Sequence, residues 1–181
     1  VFDQGTCGSC WAFAATGSVE AKSREVEKNA FQELNLSIQE LLECDTKTNE
    51  GCIGGNPLLA FYYIHKHGLV PWTEYPYIVC KKKQIQNPIA TVESWGLLHK
   101  NHENLIEYAL LYVGPVAVGF NGADPSFINY GSGIFDSVDC DQTANHALQE
   151  DGNKINTTET IRYWIARNSW GESWGENGFV K

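Results

Sequence analysis

With 181 residues, 43% of them hydrophobic and 19% charged, the chain is long and apolar enough for one large domain or two small lobes, and too apolar for a disordered segment. Thirteen Lys and Arg against 22 Asp and Glu leave a net charge of −9, which speaks against nucleic acid or an anionic membrane as partner, because both need basic surface. No stretch reaches the ~20 apolar residues of a membrane span; the best candidate, Tyr108 to Phe120, is short and broken by Gly114-Pro115.

Taken in order, the elements run helices first and strands later. Trp11, Ala15, Val19, Lys22 and Val26 recur at helical spacing and predict a helix from Cys10 to about Lys28 with one mostly apolar face. Ser37-Ile38-Gln39-Glu40 is a capping box leading into Leu41-Leu42. Asn56-Pro57, then LLAFYYIHKH and Gly68, supplies an N-cap, a proline in the first turn and a closing glycine. Glu103 to Val113 carries Leu105, Tyr108, Ala109 and Tyr112 on one side and stops at Gly114-Pro115. VAVGF (116–120) and IRYWIA (161–166) are rich in β-branched and aromatic residues and set off by turns. That order predicts an α+β chain of two lobes, with the cleft between them as the default site. Lys81-Lys82-Lys83, the one basic run, reads as a solvated loop.

Six cysteines and two N-x-S/T sequons, Asn35-Leu36-Ser37 and Asn156-Thr157-Thr158, favour an oxidising, secretory route. The chain has no Met and its first residues read as the inside of a domain, so it is expected to be a processed or trimmed piece of something longer. Cys7-Gly8-Ser9-Cys10 is a C-x-x-C with three readings. A redox pair needs a preceding apolar strand in a βαβ pattern, but Asp3-Gln4-Gly5-Thr6 is a turn. A zinc site needs a second pair of ligands at short spacing, and Cys44 and Cys52 are poorly spaced for that. The third reading makes Cys10 a nucleophile at a helix start, where free N–H groups favour a thiolate. It then needs a base and a group to orient that base. His65, His67, His99 and His102 lie on or beside polar helical segments and are expected to face solvent. His146 follows a turn-rich stretch and begins the apolar step Ala147-Leu148, with Asn168-Ser169-Trp170-Gly171 further on.

Cys-Gly-Ser-Cys-Trp (7–11), with His146 lying 136 residues after Cys10 (146 − 10) and Asn168 lying 158 after it (168 − 10), resembles the papain-like cysteine proteases. The likeness extends through Gln4-Gly5, Ser37 to Cys44, Gly51-Cys52-x-Gly54-Gly55, Tyr75-Pro76-Tyr77, Gly114-Pro115-Val116, Asn145-His146-Ala147 and the run from Tyr163-Trp164 to Gly175. It implies a two-lobed papain-like peptidase domain over 1–181: a helical lobe at about 1–90, an antiparallel β-barrel-like lobe at about 91–181, and the active site in the cleft.

In that resemblance Cys10 is the nucleophile, His146 its imidazole partner and Asn168 the group that orients the ring, with Gln4 and the Cys10 N–H stabilising the oxyanion. Gly54 and Gly55 bind an extended peptide through their backbones; Asn56, Pro57, Gly119 and Ala144 line a pocket for apolar side chains; Asn145 and Trp170 complete the implied substrate-binding set, with Trp170 also covering the His146–Asn168 bond from water. Cys7 pairs with Cys52 and Cys44 with Cys80, Cys10 stays free, and the partner of Cys140 is expected beyond Lys181. Peptide or protein substrates are implied, with a propeptide or cystatin-like inhibitors as further partners, in a lysosome, a vacuole or outside the cell; no metal and no cofactor is. The pattern departs from the family after His146, where Gln149 to Lys154 are polar: the expected apolar strand is missing, which predicts either skipped residues or a distorted histidine loop. An inactive papain-like scaffold is the alternative function. A thiol oxidoreductase would require a disulfide between Cys7 and Cys10.

Overall fold

In a computed structural model of the chain, residues 1–26, 34–77, 87–100, 102–137, 141, 143–156 and 161–181 are described. Helix α1 (Cys10–Val26) is the centre of the molecule. Its residues Trp11 to Glu20 are buried without a break, so the single apolar face read from the sequence understates it: the first three turns are enclosed on every side. Val26, assigned to that face, is exposed instead.

Helix α2 (Ile38–Cys44) starts where the capping box predicts, and Ser37 Oγ accepts from the Glu40 N–H. The reciprocal half of the box is not made. Ser37 N–H donates to the Val70 carbonyl, and the Glu40 carboxylate turns inward to accept from the Val70 N–H and the Tyr63 hydroxyl. Helix α3 (Pro57–His67) has Asn56 capping the Leu58 N–H and closes on Gly68. Helix α4 (Glu103–Tyr112) buries Ala109, but Tyr108 and Tyr112, placed on one side with it by helical spacing, are largely exposed. A short helix, α5 (Pro125–Ile128), is capped by Asp124.

The strands β1 (Val116–Phe120), β2 (His146–Asn156), β3 (Ile161–Arg167) and β4 (Phe179–Val180) form one antiparallel sheet in that order. The strand expected to be missing after His146 is present. Gln149 and Glu150 are paired on both edges and Gly152 to Lys154 with β3, and the irregularity is confined to a register shift between Glu150 and Gly152. Two apolar clusters form. One joins α1 to α2, α3 and Leu69; the other gathers Phe127, Tyr130, Leu148, Ala166 and Val180 against Trp170 and Trp174. Lys81 to Lys83, Cys80 and Cys140 lie outside the described residues, so the Cys44–Cys80 pairing does too. Among the described residues no helix is long and apolar enough to cross a membrane, and no His, Cys, Asp and Glu cluster suits a metal.

Candidate active site

Cys10 is the first residue of α1 and is half-buried. Cys7, three residues earlier, is in a disulfide with Cys52. Cys10 carries a free thiol, which rules out the Cys7–Cys10 bridge that the oxidoreductase reading required. Burial pushes the Cys10 thiol up from its ordinary value, and the N–H groups of Ala147, Trp11 and Cys10 itself pull it back down in part. The helix start therefore favours the thiolate as expected, but desolvation is the larger effect.

The Ala147 N–H reaching the Cys10 sulfur brings the start of β2 against the start of α1. His146 is the preceding residue, set opposite Phe120 in the sheet. Its Cβ packs so close to Gly122 that a side chain there would stand 2.6 Å away; only glycine lets the turn after β1 pass beneath the ring. His146 Nε2 lies 2.7 Å from Asn168 Oδ1. The same Oδ1 accepts from the Ser169 backbone N–H at 2.8 Å. A backbone N–H can only donate, so that amide atom is the oxygen and His146 Nε2 must carry the hydrogen. Neutral His146 thus has its lone pair on Nδ1, the form a base needs. Burial pushes the His146 pKa down, while the bond to Asn168 pulls it up in part. Trp170 lies over the pair, its ring 4.9 Å from the imidazole at 34°, and Phe127 packs on Trp170 from behind.

Gln4 is buried beside this group. Its Nε2 donates to the Cys7 carbonyl at 2.8 Å, its Oε1 accepts from Ser169 Oγ at 2.6 Å, and its N–H donates to the Ser169 carbonyl. One Nε2 hydrogen remains for a ligand. Tyr77 anchors the same segment by donating to the Gln4 carbonyl and meeting Ser9 Oγ at 2.9 Å. Ser169 is the residue that sequence reasoning missed as functional. It ties Gln4 to Asn168, and the only sequence signal for it is its place next to Asn168.

The other predicted site residues fall into two groups. Gly54 has open space around it, whereas a side chain on Gly55 would strike Asn49 and Trp11; Asn56 N–H donates to Asn49 Oδ1, and Pro57 opens α3. On the sheet side Gly119 lies against Ala144, and the Asn145 amide donates to Asn121 Oδ1. Of the remaining histidines, His67, His99 and His102 are exposed as expected, but His65 is half-buried with Nδ1 at 2.7 Å from the Val92 carbonyl.

A free thiol at a helix start, an oriented imidazole from a neighbouring strand and a buried amide behind it define the class of thiol-dependent hydrolases. The sequence profile of the papain family cysteine proteases matches residues 1–181, and the chain belongs to that family. It is 37% identical over 186 residues to the probable cysteine protease RD21B of Arabidopsis thaliana, covering all of this chain and 39% of that protein. It is 35% identical to the thiol protease SEN102 of Hemerocallis, covering all of this chain and 50% of that protein. The KDEL-tailed cysteine endopeptidase CEP2 of A. thaliana is 35% identical over 99% of this chain and 49% of its own length. The chain therefore spans about half or less of these relatives. The crystal structure of the Carica candamarcensis cysteine protease CMS1MS2 in complex with E-64 superposes with a TM-score of 0.84 at 30% identity, over 99% of this chain and 81% of that one. The fold is papain-like, a mixture of helices and antiparallel sheet.

Proposed function

We propose that the chain is the catalytic domain of a cysteine-type peptidase that cuts inside peptide chains. The observation that carries this reading is the tautomer of His146: the Ser169 N–H fixes Asn168 Oδ1 as acceptor, which leaves Nδ1 free to take the thiol proton. Two lobes, about 1–90 and 91–181, would meet along α1, with an extended substrate passing over Gly54 and Gly55 and its apolar side chain entering among Asn56, Pro57, Gly119 and Ala144. RepA of Oryza sativa, a relative at 34% identity, is named a cysteine endopeptidase, which favours internal cleavage.

In the mechanism Cys10 gives its proton to His146 Nδ1, forming a thiolate and an imidazolium. Burial disfavours each charge alone; in the proposed pair the attraction between thiolate and imidazolium is what would offset that. The sulfur attacks the scissile carbonyl carbon, and the C=O electron pair moves to oxygen, where the second Gln4 N–H and the Cys10 N–H receive it. As the intermediate collapses, His146 gives its proton to the departing amine and a thioester remains. Water, deprotonated by His146, then attacks the thioester, and the acid product leaves with Cys10 restored. Losing the Gln4 donor is worth roughly 3 kcal/mol of barrier.

A secretory-pathway location is supported by the Cys7–Cys52 disulfide and by an exposed Asn35 in its sequon. The test is an E-64-type epoxide added to the full-length protein. Mass spectrometry should find one adduct, on Cys10, that is absent from Cys10→Ala; a folded protein that takes none supports the inactive scaffold.

A further inference from the structure

A cavity of about 30 Å³ lies between α1 and the β2–β3 pair, directly behind Asn168. Its wall mixes apolar side chains such as Phe13 and Ile38 with polar ones: Thr16, Glu20, Gln149, Arg167 and Asn168 also line it. Most of these groups are partnered. Arg167 donates to Gln149 Oε1, Gln149 Nε2 donates to Asp151 Oδ1, and Glu20 accepts from the Leu36 N–H. Gly17 makes room for this arrangement, since a Cβ there would collide with Gln149 Oε1. Among the described residues, two buried side-chain atoms have no hydrogen-bond partner, Thr16 Oγ1 and Asn168 Nδ2. Their residues are 1% and 3% exposed, and both residues line this cavity. Asn168 cannot relieve its orphan by flipping, because Oδ1 is held by the Ser169 N–H and by His146.

A buried donor and a buried hydroxyl around a polar space large enough for solvent are the conditions under which proteins hold internal water. We propose that this cavity is an ordered-water site in which one or two waters accept from Asn168 Nδ2 and bond to Thr16 Oγ1, making Thr16 a positioning residue for Asn168 and, through it, for His146. Helix α1 then controls both members of the reacting pair: it carries Cys10 at its start and, two turns along, steadies the amide that aims the imidazole. The catalytic half of the inference rests on the peptidase reading; the water site does not.

The test uses the full-length protein with ¹⁵N label. Magnetisation transfer from long-lived water to the Asn168 side-chain NH₂ is expected in the wild type and in Thr16→Ser. It should weaken or vanish in the near-isosteric Thr16→Val. Thr16→Val should also lower kcat about tenfold at unchanged KM, and shift the acid limb of the kcat profile, while Thr16→Ser retains both. No water transfer to the Asn168 amide in the wild type overturns the site. An unchanged kcat and pH profile in a folded Thr16→Val overturns the positioning role. If the wild type neither cleaves peptides nor takes the epoxide, the peptidase reading is what has failed, and the wild-type water transfer alone decides the site.

Discussion

The two apolar clusters do different work with different side chains. The first, around α1, α2 and α3, has a mostly aliphatic buried centre, with Leu36, Leu41, Ile64 and Leu69 all fully buried beside Trp11, and Phe61, Tyr63, Trp72 and Tyr77 packed around its edge. The second is largely aromatic: Phe127 is fully buried, with ring contacts to Phe120, Phe135, Trp170, Trp174 and His146. Aliphatic packing with a disulfide beside it fixes the helix that carries the thiol. The flat rings of the second cluster cover a polar pair, the His146–Asn168 bond, without competing for its hydrogen bonds. A nucleophile on a helix needs a rigid platform. A base needs a dry, oriented one, and around His146 that is supplied by the Phe127 and Trp170 rings.

Four experiments break or sharpen this contrast, and the largest effect is chemical. Replacing His146 with Ala should reduce peptide turnover by about 10³-fold or more while leaving thermal unfolding near the wild-type temperature, since the ring's role lies in its bonds and its lone pair. Unchanged turnover would remove the base from the second region altogether.

Next come the cores. Phe127→Ala should destabilise by about 3–5 kcal/mol and Leu41→Ala by about 2–5 kcal/mol in urea titrations. Only Phe127→Ala should also lower kcat in the surviving folded fraction, because it undercuts Trp170 and the imidazole. Equal effects on kcat would mean the clusters are not separate in function.

The third is pH. Burial pushes Glu40, in the first region, up to about 7, and Glu150, in the second, also to about 7, with Glu103 adding repulsion to the latter. In the unfolded chain both should titrate near 4.5. A folded carboxyl that keeps its proton longer stabilises the fold fully below about 4.5, and that contribution drains away as pH rises through about 7. Tm should therefore fall between those values, and Glu40→Gln and Glu150→Gln should each flatten part of the slope. A Tm that rises over this interval would contradict both assignments. The smallest effect is Tyr77→Phe, which removes the donor to the Gln4 carbonyl; about 1 kcal/mol of stability should go, with epoxide labelling of Cys10 slowed only slightly.

Much of the site was legible because its signals are local. Cys10 at a helix start, the Ser37 and Asn56 caps and the glycine at 68 depend on neighbours within a few residues. The strand after His146 was not legible. Its side chains break the apolar pattern, and what makes it a strand is pairing with the neighbouring Ile161–Arg167 and with Val116–Phe120, which ends 26 residues before it (146 − 120). Tyr108 and Tyr112 show the opposite limit: their helical spacing is real, but spacing does not say whether anything covers the face.

The sequence by itself determined the first four helices, the strands at 116–120 and 161–166 and the family, and singled out Cys10, His146 and Asn168 as the proposed nucleophile and its partners, since these follow from residue types at set spacings. Only the tertiary structure decided which nitrogen of His146 carries the hydrogen, that Ser169 links Gln4 to Asn168, and that Glu20, Gln149 and Arg167 meet behind the amide. Those facts depend on distances of a few ångströms between residues that the fold brings together, 22 apart for His146 and Asn168 and 165 apart for Gln4 and Ser169, and no local pattern encodes them.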